Sequence, residues 1–192
     1  MKKMILVAVI MLSSVAIYAQ NEVGQITIQP KVGLNIANST DIDGTDPRFG
    51  IVAGAEFEYG VSDIFSISAG ALYSMQGAKN ILISHEKYTA KVDYINVPIL
   101  ANVYVLKGLA IKLGVQPGFC INHKLSANGV SVDISDLTDV NTFYFSVPVG
   151  ASYEYQHFVL DARYNWGITK VVKDFDYKNT VFQFTLGYKF AL

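Results

Sequence analysis

The sequence predicts an all-β fold, an eight-stranded antiparallel up-and-down transmembrane β-barrel with a plugged polar lumen. Three observations carry that prediction. Apolar and polar residues alternate along almost the whole chain, and a period of two puts them on opposite faces of strands. Short and long connections follow one another in strict turn, as in barrels with short periplasmic turns and longer outside loops. The chain also opens with the layout of an export signal.

That leader takes up residues 1–19. Met1, Lys2 and Lys3 are followed by an apolar run from Met4 to Leu12, then Ser13, Ser14, Ala16 and Ala19. The run is too short to span a membrane, and the small residues mark cleavage after Ala16 or Ala19. Cutting after Ala19 removes two lysines and takes the formal net charge from −1 to −3. Residues 20–192 are then the barrel domain. The lone cysteine, Cys120, is far from the leader, so no lipid anchor is expected.

The eight strands are read in order from the alternation. The clearest are Ile51 to Tyr59, Phe65 to Gln76, Phe143 to Tyr155, Phe158 to Gly167 and Val181 to Phe190; weaker segments run from Ile26 to Ala37, Val92 to Val105 and Leu109 to Cys120. In the last strand Phe182, Phe184, Leu186, Tyr188 and Phe190 oppose Val181, Gln183, Thr185, Gly187 and Lys189. Short connections lie at Gly60 to Asp63, Leu106 to Gly108 and Gln156–His157. Long polar ones lie at Asn38 to Arg48, Gly77 to Ala90, Ile121 to Asn141 and Val171 to Asn179. Pro30, Pro98, Pro117 and Pro148 fall inside strands, where the missing N–H predicts bulges or broken ladders. No segment has the length and apolarity of a membrane helix; the longest central uncharged stretch, Tyr94 to Leu106, has 13 residues and contains Pro98.

Alternation alone fits a soluble ligand-carrying barrel equally well, with its polar face outward. Three features favour the inverted arrangement. The apolar face reads as free of Asp, Glu, Lys and Arg in all eight assigned strands, which is what lipid demands, since a Lys or Arg at mid-bilayer costs about 2–4 kcal/mol. The polar face is rich in glycine and small residues, which suits a cramped lumen. Phe158 and Trp166 lie eight residues apart on the apolar face, about 20 Å along the membrane normal, matching two aromatic girdles.

The lumen so defined holds Lys31, Lys112, Arg163 and Lys189 with Glu56, Glu58, Glu154 and Asp161, four charges of each sign. Unpaired charges there would be costly, so a paired network is expected, with Asp161 and Arg163 as partners. Tyr94, Tyr104 and Tyr144 also point inward and help to plug the barrel. A narrow-pore porin is the alternative.

The stretches KVGLNIAN, AGALYSMQGAK, YINVPILANVYV, LDARYNWGITKV and FQFTLGYKF together resemble the PorT-like outer-membrane β-barrel proteins of Bacteroidetes. The resemblance covers essentially the whole mature chain. It implies an outer-membrane barrel, described in the family as a porin or simply as a barrel, the founding member being associated with a secretion system; the even strand number separately places both termini in the periplasm. The C-terminal run Thr185-Leu186-Gly187-Tyr188-Lys189-Phe190-Ala191-Leu192 is similar to the terminal signal read by the outer-membrane assembly machinery, with Thr185, Gly187, Phe190 and Leu192 at its key positions.

Chemistry is not written into the chain. The nucleophile-elbow, zincin, P-loop and dinucleotide motifs do not occur. The three histidines, His85, His123 and His157, fall in connections, and Ser84 beside His85 is the only adjacent nucleophile–base pair. Asp41, Asp43 and Asp46, like Asp133, Asp136 and Asp139, read as solvated loop acids rather than a calcium site. Cys120 reads as a small inward filler. No catalytic residue, metal site or cofactor is expected. The near-neutral charge, with 15 Lys+Arg against 16 Asp+Glu, argues against nucleic-acid binding. The expected product is a monomeric, non-enzymatic barrel with a structural, surface-interaction or secretion-accessory role. Its expected partners are outer-membrane lipid and lipopolysaccharide, the assembly machinery and an unnamed surface or secretion partner. A lipid- or peptide-modifying membrane enzyme is the further alternative.

Overall fold

The computed structural model describes residues 23–40, 46–83, 86–127, 130–133, 142–172 and 175–192. The predicted leader, residues 1–19, lies outside the described residues. So do Asp41, Asp43, Ser84, His85, Asp136 and Asp139.

Eight antiparallel strands close into a barrel. In chain order they are β1 (Ile26–Thr40), β2 (Asp46–Ser62), β3 (Phe65–Ile83), β4 (Glu86–Asn96) continued by β5 (Ile99–Leu106), β6 (Leu109–Ala127), β8 (Phe143–Tyr155), β9 (Phe158–Val172), and β10 (Phe175–Tyr188) continued by β11 (Phe190–Ala191). A short strand, β7 (Val130–Asp133), pairs only with the outer part of β6. Closure is made by β1 against β10 and β11, from Thr40↔Lys178 down to Thr27↔Ala191. Every strand of the wall is thus paired on both sides, which removes the exposed backbone edges that hydrocarbon cannot solvate.

The start of β1 and the C-terminus meet at one end, where the Leu192 N–H donates to the Ile26 carbonyl at 2.9 Å. The three tight turns share that end. One is Asp63–Ile64, one is Lys107–Gly108 with Gly108 at φ 82°, and one is Gln156–His157 with φ 47° and 71°. Two successive residues at positive φ are what a two-residue hairpin loop of right-handed twist requires. The strands run on well past the far girdle, so much of each expected long connection is ladder rather than loop: β3 extends to Ile83 and β6 to Ala127.

Pro30, Pro98, Pro117 and Pro148 sit in the ladders without shifting register. Pro98 separates β4 from β5, yet Leu72↔Asn96 and Ala69↔Ile99 keep the same spacing along β3. The wall is tied across the gap by Gly70 N–H to Pro98 O at 3.1 Å and Val97 N–H to Pro117 O at 2.8 Å. Pro30 faces the interruption between β10 and β11, where the last strand loses its ladder partner.

Two faces separate cleanly. Outward stand Val32, Leu34, Phe57, Ile67, Val103, Leu113, Val149, Leu160, Phe184 and Leu186, each between 43% and 61% exposed. Inward, Lys31, Asn35, Glu56, Ser74, Asn102, Lys112, Gln116, Asp161, Arg163 and Gln183 are buried. One expectation fails. Asp93, in the segment read as the fourth strand, lies on the outward face beside Met75 and two residues from Ile95. It stands toward the far rim, 6% exposed, with its carboxylate accepting a 2.9 Å hydrogen bond from Asn122. A partnered carboxylate at the edge of the apolar band avoids the mid-bilayer cost that set the expectation.

Candidate functional site: a charged lumen

The interior brings charged side chains from several strands together, and it is built in layers. The middle layer contains Lys31 from β1, Glu56 from β2, Lys112 from β6, and Asp161 and Arg163 from β9. Arg163 grips Glu56 with both ends of its guanidinium, at 2.6 and 2.8 Å, and holds Asp161 Oδ2 at 2.6 Å. Lys31 lies 2.8 Å from Glu56 and 3.6 Å from Asp161, and Lys112 lies 3.0 Å from Asp161. All five side chains are almost wholly shielded, which makes their mutual pairing the condition for keeping charge there.

The second layer sits at the end that carries the tight turns and Leu192. Lys189, between β10 and β11, lies 3.2 Å from Glu58 and 2.7 Å from Glu154. Tyr104 and Ser66 both donate hydroxyl hydrogen bonds to Glu58 Oε1, and Lys189 donates to the Tyr104 hydroxyl at 3.3 Å. Four cations and four anions therefore meet, but in two unequal groups. The middle layer has three cations on two carboxylates, and the terminal layer has one cation on two carboxylates.

Beyond the middle layer the interior carries one more cation, Arg48 of β2, which is buried and donates to the Gln76 carbonyl, and is otherwise lined by neutral polar and aromatic side chains. Asn35 donates to Ser74 at 2.8 Å, Asn179 to Gln76 at 2.5 Å, and Gln116 to Ser146 at 3.2 Å. Tyr94 and Tyr144 pack ring to ring at 5.0 Å, with Val92 and Cys120 against them. Tyr94, Tyr144, Leu72 and Leu100 are among the largest fully buried side chains and fill the cross-section.

Glycine makes room for these long side chains. Lys31 is flanked in register by Gly54 on one side and Gly187 on the other. Gly150 stands between Lys112 and Arg163, and Gly70 stands opposite Glu56. A Cβ on Gly150 would come 2.9 Å from Arg163 Cγ, and one on Gly70 would come 2.7 Å from Glu56 Cγ. The inward glycines are visible in the sequence, but only strand register shows that each neighbours a charge.

The structure thus brings together all eight lumen charges named from sequence: Lys31, Glu56, Glu58, Lys112, Glu154, Asp161, Arg163 and Lys189. Thr185 and Gly187 lie in β10, Phe190 in β11 and Leu192 at the terminus, all on the closing seam. His123 corrects a second expectation. It lies within β6 rather than in a connection and is 4% exposed. A register shift at Asp93↔Asn122 and Tyr94↔Cys120 adds one residue to β6 and turns His123 inward. His157 is in its tight turn, 5.8 Å from the Tyr188 ring. Among the described residues no three His, Cys, Asp or Glu side chains come close enough to hold a metal ion. The arrangement neutralises the buried charges against one another and braces the wall from within.

Residues 18–173 match the family model described as outer membrane protein beta-barrel domain. Among solved structures, Ail, the attachment invasion locus protein of Yersinia pestis, is 16% identical with a TM-score of 0.53, over 88% of this chain and 100% of that one. Neisserial surface protein A is 17% identical with a TM-score of 0.54, over 86% of this chain and 97% of the other. Likeness at such identity speaks for the fold. No curated protein matches the sequence.

Proposed function

The chain belongs to the outer membrane protein β-barrel domain family, and from that premise we propose that it is a sealed, monomeric, non-enzymatic barrel that serves as a scaffold at the cell surface. The observation that carries this reading is the middle charge layer. Five shielded side chains from four strands meet across the lumen at 2.6 to 3.6 Å. An ion would have to part these salt bridges and leave shielded charges unpaired. Short turns, the start of β1 and the C-terminus at one end support a periplasmic placement for that end, with the long hairpins outside. The motif resemblance to PorT-like proteins supports a secretion-accessory or surface-interaction role within the family. The seam position of Thr185, Gly187, Phe190 and Leu192 supports their use as the assembly signal. Phe190→Ala with Leu192→Ala should then lower accumulation in the outer membrane while leaving detergent refolding intact; equal loss in both would refute that role.

Single-channel recording in planar bilayers tests the sealed state. The barrel should insert without discrete conductance steps. Reproducible ohmic steps from the unmodified protein would overturn the reading in favour of a narrow porin.

A further inference from the structure

Between the middle charge layer and the tyrosine pair, the lumen holds hydrogen-bonding groups that the protein itself does not satisfy. Among the described residues, four carboxamides there leave a side-chain oxygen without a partner: Asn35 on β1, Asn96 on β4, Gln116 on β6 and Asn165 on β9. Three donors are left over beside them, Asn96 Nδ2, Gln183 Nε2 on β10 and Arg163 Nε on β9. None of these six residues is more than 2% exposed. A buried polar atom without a hydrogen bond is costly, and one on a charged group is costlier still.

The six are neighbours. Register sets Gln183 opposite both Asn35 and Arg163, and Asn165 donates to Gln183 Oε1 at 3.4 Å. Asn165 is two residues from Gly167, which stands opposite Ser146, and the Ser146 hydroxyl accepts from the Gln116 amide at 3.2 Å. Gln116 is in turn two residues from Gly118, which stands opposite Asn96. Gly118, Gly167 and Gly50, the last opposite Asn35, put no side chain into this part of the lumen.

The balance of donors and acceptors identifies the ligand. The oxygens would suit a cation, but it would sit beside a layer that already has three cations on two carboxylates. The donors would suit a small anion, but it would meet the carboxamide oxygens. Water both donates and accepts. A buried water makes about three hydrogen bonds, so seven atoms call for about two or three molecules.

We propose that this part of the lumen is a closed hydration site, in which bound water bridges Asn96 and Gln116 to Asn165, Gln183, Asn35 and Arg163. The charge layer closes it on one side and the Tyr94–Tyr144 pair on the other. Water is then a fixed part of the internal brace that joins β4 and β6 to β9, β10 and β1. The inference rests on the sealed barrel proposed above, since an open pore would renew its water from bulk solvent.

The full chain, refolded in detergent micelles with 15N-labelled asparagine and glutamine, would be read by water-to-side-chain nuclear Overhauser spectroscopy. The NH2 groups of Asn96 and Gln183 should show water cross-peaks of the sign given by water that tumbles with the protein, and their absence at both would overturn the proposal. Oxygen-17 relaxation dispersion of the solvent counts the same molecules, about two or three in the parent. Asn96→Leu with Gln183→Leu should remove at least about half of that amplitude, and an unchanged amplitude would overturn the site. Should the double variant fail to refold, the cross-peaks of the parent decide. Cross-peaks that vanish when chloride replaces gluconate, or ammonium replaces sodium, at matched ionic strength would overturn water as the occupant. The seal is read separately: conductance steps in planar bilayers overturn the sealed barrel, whereas loss of the slow-water signals without conductance overturns the hydration site alone.

Discussion

Neutralising Glu56 should cost this barrel more than neutralising Arg163, although Arg163 makes the larger number of close contacts. The reason is the imbalance of the middle layer. Lys31, Lys112 and Arg163 share two carboxylates, Glu56 and Asp161. Arg163→Met removes one cation and leaves two intact pairs, Lys31 with Glu56 at 2.8 Å and Lys112 with Asp161 at 3.0 Å. The loss is then mainly that of hydrogen-bond partners, about 1–3 kcal/mol. Glu56→Gln keeps the volume but leaves three shielded cations on the single carboxylate of Asp161. Breaking a buried pair in this way costs about 3–5 kcal/mol. Adding Lys31→Met to Glu56→Gln removes the surplus cation and should recover at least about 1 kcal/mol, a coupling of the size found for contacting residues. Urea unfolding in lipid vesicles, followed through Trp166, the only tryptophan in the chain, measures all three variants. An Arg163→Met cost equal to or above that of Glu56→Gln, or strict additivity in the double variant, would refute the reasoning.

Two further predictions follow from the faces of the wall. Leu160→Arg puts a cation on a position 61% exposed toward hydrocarbon and should lower stability in vesicles by about 2–4 kcal/mol, seen as loss of the heat-modifiable band on gels; normal insertion would show that the face is misassigned. Gly150→Ala places a Cβ 2.3 Å from the Ala162 carbonyl oxygen and 2.9 Å from Arg163 Cα. It should cost about 1–3 kcal/mol by overpacking, and a midpoint within about 0.5 kcal/mol of the parent would show that glycine is not needed there.

The strands and their faces were legible in the sequence because a membrane barrel imposes its pattern one residue at a time. Each outward position between the girdles must be apolar whatever the rest of the chain does, so Leu160 and Arg163 could be assigned opposite faces from parity alone. Parity misled where that pressure ends or where the count slips. Near the far rim a partnered carboxylate is tolerated, and Asp93 sits outward. One added residue in β6 reverses the phase, and His123 sits inward. Past the girdles the alternation fades although the ladders of β3 and β6 continue, so those segments read as loops.

The sequence by itself placed eight charged side chains, four of each sign, on one interior face, since that needs only a period of two; Arg48 joins them only because β2 starts as early as Asp46. The sequence could not determine who pairs with whom. Arg163 meets Glu56 across 107 positions of chain because β1 closes on β10, and the offset between strands in the closed wall decides which inward positions share a level. Closure and stagger put three cations with two carboxylates in one layer and one cation with two in the other. Barrel geometry, a property of the whole ring and of no single strand, is what decides which charges share a layer.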